Sequence, residues 1–580
     1  MIRLTAGLAA CVLLPLLLPA FWVTLLGYVG LAAIVALGLV LLTGVSGQTS
    51  FGQASFVGIA AYSTALLTRF ADAPPLLGLA AGLALTGAVA WLLGLITARL
   101  SGHFLALCSV AWGLSFYSLF GTLPGLQGFN GIGGIPPISP ALAGPRANLA
   151  VIWLCVAGTL LLSRNLLDSR IGRALRTLNG ARFMAESMGI DTVALARRVF
   201  VVAALYAALA GWLFAHFQRF ISPTPFGLGI SIEYLFMVIL GGAESLAGAL
   251  LGAALVTVLR DQINDWVPRL TGATGSYEGM GFALLVILFL QRVPGGLWPL
   301  LVRRRAPGNA GRPPAAASAL PAPAAPPRGE EVLALEGISR RFGGLAANQD
   351  ISFAVHAAEI VALIGPNGAG KTTLFNVISG VLPPSAGRVR LFGAAVARLP
   401  ARRLAALGLA RTFQHAKLLP ARSVRDNIAI GAHLSGRRGW LHAMLRLDRA
   451  EEAALLAEAA RQATRCGLGG VLDQPAGDLP LGQQRGVEIA RALCLRPRLL
   501  LLDEPAAGLR LAEKRQLAAL LRQLRAEGMA VLLVEHDMEF VMDLADRVVV
   551  MDFGQKIAED VPSVVQAHPA VLEAYLGSVA

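Results

Sequence analysis

At 580 residues the chain is too long for one domain, and 55% hydrophobic against 14% charged residues, with mean hydropathy +0.64, exclude an ordinary soluble protein and point to membrane spans. The net charge of +14 raises the question of a nucleic-acid partner. The charge distribution answers it: basic residues before position 306 are all arginines flanking apolar blocks, which suits the cytoplasmic face of a membrane protein, so membrane lipid and no nucleic acid is expected. Among Cys11, Cys108, Cys155, Cys466 and Cys494 no pair has metal or redox spacing, and they read as small buried apolar residues.

From Leu4 onward apolar blocks predict spans near 4–20, 25–43, 51–68, 76–98, 103–121, 147–164 and 199–217, a long block over 228–262, and a last span near 279–291. Arg3 precedes the first block, but no small-x-small cleavage site follows, so the span is read as retained. Arg164, Arg170, Arg173, Arg176, Arg182, Arg197 and Arg198 mark their segment as cytoplasmic. The half after residue 329, whose phosphate-loop pattern is given below, belongs on the same side, which demands an even number of crossings between. The long block exceeds the ~20 residues that one crossing needs, and Gly241-Gly242-Ala243-Glu244-Ser245 breaks it into two short helices, giving about ten spans in all.

Gly44 to Gly58 and Gln127 to Pro137 carry glycine and polar residues at membrane depth, which fits either a translocation path or close helix packing. Glu233, near the outer end of a span, is a membrane carboxylate that either serves function or faces outer water. Ala181 to Gly189, followed by Ile190 to Val199, reads as a short cytoplasmic helix and turn that passes force from motor to membrane, or as an amphipathic helix on lipid headgroups. Residues 303–329 hold seven prolines, nine alanines and no acidic residue, and so form a tether between a membrane domain, 1–302, and a second domain, 330–580.

The second domain opens with Phe342, an aromatic upstream of the phosphate-loop pattern that reads either as a face for stacking on adenine or as a packed core residue. The strand Glu359 to Ile364 then runs into Gly365-Pro366-Asn367-Gly368-Ala369-Gly370-Lys371-Thr372-Thr373, which fits the phosphate-loop pattern and opens a helix. Glycines let backbone N–H groups face a phosphate, the helix N-terminus adds its dipole, Lys371 supplies a cation and the Thr372 hydroxyl a Mg²⁺ ligand. ATP and Mg²⁺ are the expected cofactors. Downstream come Arg411-Thr412-Phe413-Gln414-His415, then Leu479-Pro480-Leu481-Gly482-Gln483 leading into a helix. The buried strand Leu499 to Asp503 follows, ending in Glu504, then Ala506-Ala507-Gly508-Leu509, and Glu535-His536-Asp537 after the strand Ala530 to Val534.

In this order the motifs resemble the nucleotide-binding domain of an ABC transporter, an α/β fold with a helical subdomain. RTFQH, DEPAAGL, EHDM and the tail Ala574-Tyr575-Leu576-Gly577 are similar to the ATPase of branched-chain amino acid importers. SFGQASFVGIAAY, the GGAES break and Arg292-Val293-Pro294-Gly295-Gly296-Leu297 are similar to that system's permease. The resemblance implies that Lys371 binds the β and γ phosphates, that Thr372 and Asp503 hold Mg²⁺, and that Glu504 is the general base. It further implies that His536 contacts the γ phosphate, that Gln414 senses phosphate and metal, and that Gly482 and Gln483 face nucleotide. The sequence departs at Pro480 and Leu481, where the general signature has serine and glycine, and at Arg510, where aspartate is common. The resemblance implies that these elements serve a partner's site.

The resemblance implies a subunit of an importer for hydrophobic branched-chain amino acids in a bacterial inner membrane. It implies a second permease, a second ATPase and a periplasmic or lipid-anchored binding protein. Urea or short amides are the alternative cargo. A homodimeric exporter is the alternative machine, although its six long spans match poorly.

Overall fold

In the computed structural model, the structure describes residues 18–97, 103–271, 277–293, 295–302, 320, 327–414 and 417–576. The predicted first span lies almost wholly outside them, as do Cys11, Pro294, His415, Gly577 and nearly all of the tether. The described residues form two compact units. One draws on Met1–Asp168, Val193–Arg305 and Met444–Arg446, the other on Ser169–Thr192, Ala306–Ala443 and Leu447–Ala580.

The first unit holds α1 (Ala20–Leu39), α2 (Gln53–Ala65), α3 (Pro75–Thr97), α4 (His103–Thr122) and α5 (Pro145–Leu167). Two short helices, α6 (Arg170–Thr177) and α7 (Arg182–Ser187), come next in the chain and belong to the second unit. The first unit resumes with α8 (Thr192–Gln218), α9 (Leu228–Gly241), α10 (Leu246–Thr271) and α11 (Tyr277–Arg292). Among the described residues, 6 helices are long and apolar enough to cross a membrane. α9 is shorter, and α2 extends to Phe70 through a wider π turn.

The break falls where the glycines predict it, between Gly241 and Leu246. The helix after it is not short, however: it runs 26 residues. A second correction concerns Thr192–Val199, read as part of the cytoplasmic turn, which are instead the first turns of α8.

Small residues let the backbones meet. A Cβ at Gly44 would strike the Ala243 carbonyl, one at Gly211 the Val57 carbonyl, and one at Gly252 the Met237 carbonyl. At Gly44, close packing against the 241–245 break is therefore what the structure displays. Ser46, Gln48, Ser50 and Gln53, which follow, are buried. In the other glycine-rich loop, β1 (Ile132–Gly133) pairs antiparallel with β2 (Phe220–Ile221).

The second unit contains, in order, β3 (Glu331–Phe342), β4 (Leu345–His356), β5 (Ile360–Ile364), α12 (Lys371–Ile378), β6 (Ala386–Leu391) and β7 (Ala394–Ala395). It continues with α13 (Ala401–Leu407), β8 (Leu409–Arg411), α14 (Val424–Ala429), α15 (Arg449–Arg465), α16 (Leu481–Cys494) and β9 (Leu499–Asp503). α17 (Leu511–Ala526), β10 (Ala530–Val534), α18 (Met538–Leu544), β11 (Arg547–Asp552), β12 (Gln555–Asp560) and α19 (Pro569–Leu576) complete it.

A six-stranded sheet runs β12-β11-β5-β10-β9-β8, parallel except for β12, and a four-stranded antiparallel sheet runs β4-β3-β6-β7. Parallel strands covered on both faces read as unbroken apolar runs, and β9 shows why. Leu499 and Leu501 join the core that also holds β3, β4 and α12, while Leu500 and Leu502 join the core under α16 and α17. A separate cluster of Val424, Ile428, Leu455, Ala459, Val487 and Ala490 gives the helical subdomain its own core. Cys494 is buried there; Cys108, Cys155 and Cys466 are only partly covered.

Candidate nucleotide site

All five residues of β5 are buried, so the chain leaves the sheet at a fixed point, Gly365. Gly365, Gly368 and Gly370 adopt φ of +151°, +86° and +92°. A Cβ would strike the Met551 carbonyl at Gly365 and the Ala347 carbonyl at Gly370, so both positions require glycine on two counts. α12 begins at Lys371, with Gly370 as its N-cap. Lys371 Nζ donates to the Gly365 carbonyl at 2.7 Å and the Pro366 carbonyl at 2.8 Å, so the lysine lies across its own loop. Burial pushes its pKa down, against the pull of Glu504. Asn367, Gly368 and Thr372 are exposed, Pro366 and Thr373 partly so, and Ala369 is buried. Residues 366–369 form one wall of a cavity of ≈ 670 Å³, with Asp552, Phe553 and α19 opposite. Tyr575 of α19 hydrogen-bonds to the Gly365 backbone.

β10 lies between β5 and β9, and pairs Val534 with Asp503. That register brings two acidic pairs, 503–504 and 535 with 537, to the same sheet end as the phosphate loop. Asp503 is buried and accepts from Arg411 Nη2 at 3.1 Å. Burial raises its pKa and Arg411 opposes the rise. Arg411 is fixed in turn by Asn376 Oδ1 at 2.7 Å and Ser379 Oγ at 2.6 Å, both at the far end of α12.

Glu504 adopts φ +48°. Its Oε2 accepts from Gln414 Nε2 at 3.2 Å, and its Oε1 lies 3.1 Å from His536 Nε2. Two residues named from two separate motifs thus converge on the carboxylate of a third. Beneath them Glu535, 2% exposed, accepts the backbone N–H groups of Ala506 and His536 and so ties the turn after β9 to the end of β10.

Two other expectations fall elsewhere. Phe342 is 45% exposed at the end of β3, with the Arg340 guanidinium 4.7 Å from its ring centre. It is an open aromatic face rather than a packed core residue. Gly482 and Gln483 lie in the first turn of α16 behind Pro480 and line a separate cavity of ≈ 440 Å³ with Glu513. The loop residues 366–369 line a different cavity, so one chain does not unite signature and phosphate loop. Arg510 caps α17, its backbone N–H donating to Glu513 at 2.8 Å.

Sequence reasoning gave no role to Arg411, Glu535 or Tyr575. Each was visible only as a letter in a quoted motif; their partners are 92, 29 and 210 positions away or nearly so in the chain, beyond the reach of any local pattern. Chemically, the assembly presents backbone N–H groups and a cation to a polyphosphate, and a carboxylate with two hydrogen-bonding neighbours to a water.

Residues 21–290 match the family described as the branched-chain amino acid transport system permease component. Residues 348–507 match the ABC transporter family, and 555–580 match the branched-chain amino acid ATP-binding cassette transporter family. The high-affinity branched-chain amino acid transport ATP-binding protein BraF of Pseudomonas aeruginosa is 39% identical over 249 residues, 42% of this chain and 98% of that protein. The chain belongs to the branched-chain amino acid ABC transporter family. It unites the family's permease and ATPase in one polypeptide. LivG of Escherichia coli, of the same description, is 38% identical over 251 residues, 43% of this chain and 98% of that protein. A solved nucleotide-free ATP-binding cassette from an ABC transporter is 31% identical over 43% of this chain and 100% of its own, with a TM-score of 0.39. In this family member the second unit is an ATP-binding cassette, and the apolar helices of the first unit make it a membrane protein.

Proposed function

We propose that the chain is the permease and motor of an importer that carries branched-chain amino acids across a bacterial inner membrane, driven by ATP hydrolysis on the cytoplasmic side. The permease comprises 1–302, the tether 303–329 and the ATPase 330–580. The observation that carries the motor's chemistry is the convergence of Gln414 and His536 on Glu504 at the strand end beside the phosphate loop. The matches of 21–290 and of BraF and LivG support the cargo class.

In this reading the 365–373 loop and Lys371 hold the β and γ phosphates, and Phe342 stacks on adenine. Glu504 takes a proton from the water that attacks the γ phosphorus, with ADP as leaving group. His536 and Gln414 fix the carboxylate's position and sense the γ phosphate. The exposed Thr372 hydroxyl, the Asp503 carboxylate and the Gln414 amide oxygen are a hard-oxygen donor set, which suits Mg²⁺. Bound there, Mg²⁺ would supply charge neutralisation on the phosphates. Gly482 and Gln483 serve the nucleotide of a second ATPase, which accounts for their separate cavity. A second permease and a substrate-binding protein complete the machine.

The test is reconstitution of the complex with its binding protein, followed by ATP-dependent uptake of labelled leucine. Uptake of urea or a short amide in place of leucine, or leucine export, overturns the reading.

A further inference from the structure

Within the first unit, α1, α2, α8, α9 and α10 line an open-sided cavity of ≈ 430 Å³. Its wall is mostly apolar and aromatic, with Leu25, Val57, Phe214, Phe226, Ile230 and Met237. Opposite charges interrupt that wall: Arg260 donates to Glu233 Oε2 at 3.1 Å, and Asp261 lines the cavity beside them. A neutral polar pair closes the margin, Tyr28 donating to Gln218 Oε1 at 2.7 Å. The lining comes from the middle of α1, Val57 of α2, the last turns of α8, the length of α9 and the middle of α10. Along α8 this is the end opposite Arg197 and Arg198. An apolar pocket with a few convergent polar groups is the form of a small-molecule site, and ionisable residues among membrane helices mark pathways.

We propose that this cavity is a substrate subsite of the permease that takes a zwitterionic aliphatic amino acid. The α-carboxylate would pair with Arg260 and the α-ammonium with Glu233, Asp261 adding negative charge. The side chain would rest on Phe214, Phe226 and Met237. A zwitterion brings the same two charges as the half-exposed pair it parts, so each side chain exchanges one counter-charge for another. A neutral amide offers no such exchange. Each extra buried methylene favours the ligand by roughly fourfold, which makes the wall a selector for longer aliphatic side chains. The proposal rests on the amino-acid cargo put forward above and deepens it by naming the site and the groups that recognise the ligand.

The experiment is saturation-transfer NMR on the full chain, assembled with its partner subunits in lipid nanodiscs without binding protein. The probes are leucine, isoamylamine (ammonium only), 4-methylpentanoate (carboxylate only) and urea. Leucine should bind, both half-ligands should bind weakly, and Arg260→Gln should weaken leucine about ten- to a hundredfold through loss of a charge-assisted bond. Ile230→Trp keeps both charges and fills the space, so it should abolish the leucine signal in a protein that stays monodisperse. The Glu233→Arg/Arg260→Glu double variant separates a ligand site from a structural ion pair: it preserves the pair but should not bind leucine normally. Normal leucine binding by the double variant, or by both Arg260→Gln and Ile230→Trp, overturns the subsite while leucine uptake leaves the cargo reading standing. Saturation by urea with none by leucine overturns the cargo reading itself.

Discussion

Glu504 holds a left-handed backbone conformation that costs an L residue roughly 1–2 kcal/mol. The surrounding structure holds it there: its N–H donates to the Val534 carbonyl at 2.9 Å, and its carboxylate meets Gln414 and His536. Strain of this kind concentrates where a side chain must be aimed. Glu504→Gln should keep ATP binding and slow ATP turnover by about 10²–10⁴-fold, the usual size of a general-base contribution. Lys371→Ala should instead weaken nucleotide binding itself. Phosphate release and nucleotide binding separate the two, and near-normal turnover in Glu504→Gln would remove its role. A second residue-scale prediction concerns His433. Burial, with Arg170 and Arg173 beside it, pushes its pKa from 6.5 to about 3. A depressed pKa stabilises fully above the unfolded value and is lost as pH falls, so stability should decline from pH 6.5 toward 3. The decline is at most ~1.4 kcal/mol per pH unit for one proton. His433→Gln should flatten that slope, read as hydrogen-exchange protection of β9 and β10 in urea; an unchanged slope assigns it elsewhere.

Among the elements, α6 and α7 carry the clearest message, because the permease sequence contains them and the nucleotide-binding unit packs them. Arg173 is 5% exposed and makes a two-pronged ion pair with Glu452 of α15. The Arg170 guanidinium donates to the carbonyls of His433 and Arg438, each at 2.8 Å. Gly189, φ +81°, lies so close to Leu434 that a Cβ would come within 2.5 Å of it. Asp191 reaches Arg402 of α13 at 3.4 Å. Buried arginine pairs of this kind are poorly explained by an amphipathic helix on headgroups and well explained by a docked element. Arg173→Met strands a buried Glu452, at a cost of about 3–5 kcal/mol to the docked arrangement. We expect it, like Gly189→Trp, to keep basal ATP hydrolysis and to lose uptake. Equal loss of both activities would point to misfolding, and no loss of either would return the loop to the lipid surface.

In the proposed machine Gly482 and Gln483, which line a different cavity from residues 366–369, serve the partner's nucleotide, and the two ATP sites differ in quality. The signature helix α16 starts behind Pro480, which brings neither hydroxyl nor N–H, though proline is well tolerated there. The helix dipole and the N–H groups of Leu481 and Gly482 remain. One charge-assisted hydrogen bond is missing relative to serine, worth about 1.5–3 kcal/mol, or roughly ten- to a hundredfold. The site built from the partner's phosphate loop and this chain's signature should therefore be the weaker. Disabling each loop lysine in turn in the purified complex checks this: the Lys371 variant should lose more ATP turnover, and the reverse order sinks the idea.

Local chemistry alone determined much of this protein. Glycines at fixed spacing after an apolar strand specify a phosphate loop, because only glycine tolerates the positive φ found at 365, 368 and 370. Four leucines before Asp503 specify a strand covered on both faces, since the pleat sends them alternately into two cores. The apolar blocks and the glycines at 241 and 242 gave the apolar helices from α9 to α10 and the break between them. What only the tertiary structure decided is where side chains distant in sequence meet. Arg411 reaches Asp503, Gln414 and His536 share Glu504, and Arg260 finds Glu233. Thr192 to Val199, read as part of a short cytoplasmic helix and turn, instead continue without a break into α8. Strand order and helix packing set these meetings, and neither is encoded in any window of sequence short enough to read by period or motif.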